Sequence, residues 1–83
     1  MIKFYKIKDT EISKAMDVAE DGSKKPVALI GRIRELAYLD IIREVENFNR
    51  VADKWMVIPA DAGDEQREDR VYDTLAEAKA TFN

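Results

Sequence analysis

Asp40 and Glu44 stand four residues apart in the stretch "KKPVALIGRIRELAYLDIIREVENFNR", residues 24–50, with Arg34 a few positions upstream. On a helix that spacing puts two carboxylates one turn apart. Acid–base catalysis needs such a pair, provided a cleft drives the two pKa values apart. Exposed like charges at this spacing repel, so with Arg34 the set also fits a buried ion cluster or the polar rim of an interface. A second acid-rich run holds Asp61, Asp64, Glu65, Glu68 and Asp69. Hard cations take clustered oxygen ligands, but the D-x-[DN]-x-[DN]-G ladder is missing, and the run reads as a solvated loop. With Asp53 and Asp73 it also reads as an acidic patch for a basic partner. The chain has no cysteine and no histidine, which removes disulfides, thiol chemistry, the commonest general base and the commonest metal ligand. Its three glycines form no phosphate-cradling loop. The sequence therefore assigns no catalytic residue, no cofactor and no metal.

Charge is unevenly laid out. Residues 1–34 carry eight Lys/Arg against five Asp/Glu, and the remainder carries six against twelve, for a net charge of −3. Lys24, Lys25, Arg32 and Arg34 are the densest basic group and the candidate phosphate contacts of a nucleic-acid-binding module. A sequence pI near 4.9 weighs against that reading, as does the lack of any recognisable recognition motif. It is kept as the alternative.

Which elements would position these residues? "MIKFYKIK" reads as a strand, with Lys3, Lys6 and Lys8 suited to a sheet edge. "DTEISKAMDVAED" reads as a short helix, because Ile12, Ala15, Met16 and Ala19 recur at helical spacing. Gly22 would close it and Pro26 would open the next. Residues 24–50 then form one long helix, in which Gly31 costs about 1 kcal/mol relative to alanine and implies a close packing contact. "ADKWMVIPAD" reads as a strand limited by Pro59, "RVYD" as its antiparallel return, and "DTLAEAKATF" as a closing helix with a Thr74–Glu77 capping box. The predicted fold is a single α+β domain over residues 1–83, in the order β-α-α-β-β-α. It has an about three-stranded, mainly antiparallel sheet on a long central helix.

That helix has too much apolar surface. Ile30, Ile33, Ala37, Ile41, Val45 and Phe48 make one stripe, and Leu29, Leu36, Tyr38 and Ile42 widen it to roughly 240°, where about 100° suffices for one core. Three readings compete: a helix wrapped by its own domain, a helix broken near Tyr38–Asp40, or a face that meets another chain. The domain is small for the first. Tyr38, Leu39 and Ile42 are the leftovers expected at a partner surface, with Arg34, Asp40 and Glu44 supplying polar specificity.

"KWMVIPA…DRVYDTLAEAKATF" is similar to the strand–loop–strand–helix endings of many small modules, and this resemblance carries no function. In size and make-up the chain resembles small accessory proteins of bacteria and their phages, which often bind and block a larger protein. The expectation is a non-catalytic protein-interaction module, a regulator or inhibitor, self-associating as a homodimer through the same face. No apolar run suits a signal peptide or a membrane span, so the expected compartment is the cytoplasm.

Overall fold

The computed structural model describes residues 1–61 and 70–82. Five strands form one antiparallel meander in the order β1-β2-β3-β4-β5: β1 (Ile2–Lys6), β2 (Ile12–Val18), β3 (Lys24–Arg32), β4 (Trp55–Pro59) and β5 (Val71–Tyr72). Three short helices accompany them: α1 (Ile33–Tyr38), α2 (Phe48–Val51) and α3 (Leu75–Ala80). This corrects the three-stranded sheet on a long central helix. No helix among the described residues exceeds six residues, and residues 24–32 and 12–18 are strands.

The sheet buries apolar side chains on both faces, which is why its central strands look helical in sequence. Register places Ile7, Ile12, Gly31, Met56 and Val71 in one row on one face, here the front. Ile33, Leu36 and Ile42 cover that row and form a core with Ile12 and Met56. On the back face, Ala15, Ala28, Ile30 and Val57 meet Ala78 of α3. Phe4 closes edge-to-face on Phe82 with ring centroids 5.9 Å apart. A strand wanted on both sides needs no polar/apolar alternation, so β3 reads as one continuous apolar run. Pro26 and Val27 lie at a register irregularity beyond the end of β4, where a missing N–H is tolerated. The close contact implied at Gly31 exists, though in a strand: a Cβ there would lie 3.0 Å from Ile12 Cγ1, Leu36 Cγ and Leu36 Cδ2.

Residues expected to cap or end the first helix build hairpin turns. The Thr10 hydroxyl donates to the Ile7 carbonyl at 2.8 Å and accepts from the Ile12 N–H at 3.1 Å. Between β2 and β3, Gly22 takes φ 90°, and Asp21 accepts from the Ser23 N–H and hydroxyl at 2.9 and 2.7 Å. Those two donors hold the Asp21 carboxyl below its ordinary pKa. Whatever this turn gains from the charge is present above the ordinary carboxylate pKa and lost as pH falls through the lower folded value. The Thr74 cap forms as read, its side chain accepting from the Glu77 N–H at 3.1 Å. Among the described residues no helix is long and apolar enough to cross a membrane.

Candidate functional site

Among the described residues, three of the four non-glycine residues with positive φ lie in the connection from β3 to β4. It leaves the sheet through α1, whose first two N–H groups donate to Lys54 and Ala52 carbonyls at 2.9 Å each. The helix stops after Tyr38 in a closed turn. Asp40 N–H donates to the Ala37 carbonyl at 3.1 Å and Ile41 N–H to the Leu36 carbonyl at 2.9 Å, while Asp40 itself takes φ 60°. This is the wrapped, left-handed helix ending usually built on glycine, here built on aspartate. Glu44 (φ 52°) and Asn47 (φ 57°) repeat the left-handed conformation before α2. Three non-glycine residues in that region within eight positions store steric cost, of the kind that concentrates at functional segments.

The turn splits neighbouring apolar residues between inside and outside. Ile42 goes inward and is only 4% exposed, packed with Leu36 and Met56. Tyr38 is 86% exposed, Leu39 45% and Ile41 41%. Two of the expected contact residues, Tyr38 and Leu39, thus stand at the surface. Ile42 does not, and Ile41 takes its place. A helical wheel could not separate Ile41 from Ile42 here, because no helix exists between Leu39 and Asn47.

The polar candidates Arg34, Asp40 and Glu44 are all exposed. Asp40 and Glu44 are exposed on the same loop but are no longer one helical turn apart. Arg34 is exposed and pairs with Asp53 at 2.8 Å, a surface ion pair of small energetic value. Among the described residues no group of three or more acidic side chains is placed to hold a metal ion. Asp61 is exposed; Asp64, Glu65, Glu68 and Asp69 lie outside the described residues.

The four basic residues of the alternative reading do not converge. Lys24 and Lys25 begin β3 and point to opposite faces, whereas Arg32 ends the same strand, about 26 Å along it at strand rise. Arg32 is engaged there: it pairs with Glu11, donates to the Asp53 carbonyl at 2.8 Å and stacks 4.6 Å from the Trp55 ring centroid. Arg34 is held by Asp53 as above. No known family model, curated protein or solved structure matches the chain.

Proposed function

We propose that the protein is a non-catalytic protein-interaction module whose contact surface is Tyr38, Leu39 and Ile41 at the end of α1. One observation carries this reading. A tyrosine and two branched aliphatics stand exposed together on a segment of constrained backbone, anchored from beneath by Ile42. Exposed apolar clusters on a prepared backbone favour association, because little ordering entropy remains to be lost on binding. Asp40 and Glu44, exposed on the same loop, and Arg34, exposed on α1, would supply the polar border of such an interface. A second copy of the chain is the first partner to test, since a two-fold contact needs only one self-complementary patch. A larger protein that is regulated or blocked is the other occupant of the same surface.

Light scattering after gel filtration, over a concentration series, tests self-association. The expected result is a dimer that persists in high salt and dissociates in Tyr38→Ser/Ile41→Ser at unchanged thermal stability. A dimer indifferent to both substitutions would place the contact elsewhere.

A further inference from the structure

Among the described residues, the front face of the sheet is covered at one end only. Next to the buried row comes Tyr5–Lys14–Leu29–Ile58, then Lys3–Met16–Pro26, then Val18–Lys24 at the hairpin end. Lys3, Tyr5, Lys14, Lys24 and Pro26 are exposed, and Met16, Val18, Leu29 and Ile58 are half-buried. These rows contain three lysines and no carboxylate. None of the three lysines forms an ion pair among the described residues. The Lys24 ammonium lies 4.6 Å from the Tyr5 ring centroid, so a cation and an aromatic ring are held together on this face.

We infer that this open half of the front face binds single-stranded nucleic acid through Lys3, Lys14 and Lys24, with a base stacked beside Tyr5. The charge is complementary to phosphate, and among the described residues these rows hold no carboxylate to oppose it. A flat sheet surface that mixes an aromatic ring, half-exposed apolar side chains and lysines suits unstacked bases attached to a phosphate chain. A duplex would offer its phosphates to the lysines but no base face to Tyr5. This is a different group from the Lys24, Lys25, Arg32 and Arg34 expected from sequence. Only Lys24 is shared, and the sheet register brings in the other members. The site is separate from Tyr38, Leu39 and Ile41, so neither proposal rests on the other.

The test is fluorescence anisotropy of a labelled oligo-dT and its RNA counterpart against wild type, Lys3→Gln/Lys14→Gln/Lys24→Gln and Tyr5→Leu, across a salt series. Wild type is expected to bind with a log–log salt slope near −2, from three phosphates at about −0.7 each. The triple variant should lose about tenfold or more in affinity and most of that slope. Tyr5→Leu should lose about tenfold and keep the slope. All four side chains are exposed, so melting by circular dichroism should be unchanged in the lysine variant. Failure of wild type to bind at low salt would overturn the inference, as would a triple variant that binds equally well. Tighter binding to duplex, or binding only to phosphatidylglycerol vesicles, would overturn it too and give the face to another anionic surface.

Discussion

Ile42→Asp is expected to unfold the domain, whereas Ile41→Asp, one residue earlier, changes stability by no more than about 1 kcal/mol. Ile42 is 4% exposed in the front core and Ile41 is 41% exposed. The first substitution forfeits about 2 kcal/mol of apolar burial and brings an unpaired carboxylate against Leu36 and Met56, at a further several kcal/mol. A domain of this size has on the order of 4–12 kcal/mol of stability in all. Chemical denaturation followed by the fluorescence of Trp55 reads both variants. Equal losses at the two positions would mean that the turn at Asp40 does not sort these neighbours as described.

Leu36→Ala should cost about 2–5 kcal/mol, the range for emptying a fully buried leucine site. Its coupling to Gly31 is more diagnostic than its size. In the wild-type background, Gly31→Ala forces a methyl to 3.0 Å from Leu36 and Ile12 and should be destabilising by about 1 kcal/mol or more. With Leu36 shortened, the same methyl enters vacated space and gains the lower unfolded-state entropy of alanine. The Ile12 contact remains, so Gly31→Ala should then cost less than it does in the wild-type background, giving a coupling of about 0.5–1 kcal/mol in a double-mutant cycle. Additive losses would show that β3 and α1 do not meet at this point.

How much of this could be read from residue order depends on whether the signal is local. The Thr74–Glu77 cap, the strand at Trp55 and the lysine-bearing edge strand β1 depend on neighbours in sequence, and each lies where it was read. β2 and β3 depend on partners far along the chain. Ile12, Ala15 and Met16 satisfy a helical spacing, yet Ile12 and Ala15 are buried on opposite faces of a sheet. The 240° apolar arc was itself the sign of a wrong period. Ile30 and Ile33 fall on one wheel stripe but belong to different cores, because a strand and a helix meet between them. The apolar surplus was real only in part. Most of it covers both faces of the sheet, and Tyr38, Leu39 and Ile41 remain outside. Lys3, Tyr5 and Lys14 as one group were invisible in sequence, since only the pairing of β1 with β2 brings them together.

The claim that Tyr38, Leu39 and Ile41 form a contact surface is tested most directly by crosslinking from within it. A photo-reactive phenylalanine analogue in place of Tyr38 would be expressed in the protein's native cells, with the same residue at exposed Ala76 of α3 as the control. The expected result is one discrete adduct from position 38, either a covalent dimer or a complex with one larger protein, and none from position 76. No discrete adduct from position 38, or the same products from both positions, would contradict the assignment.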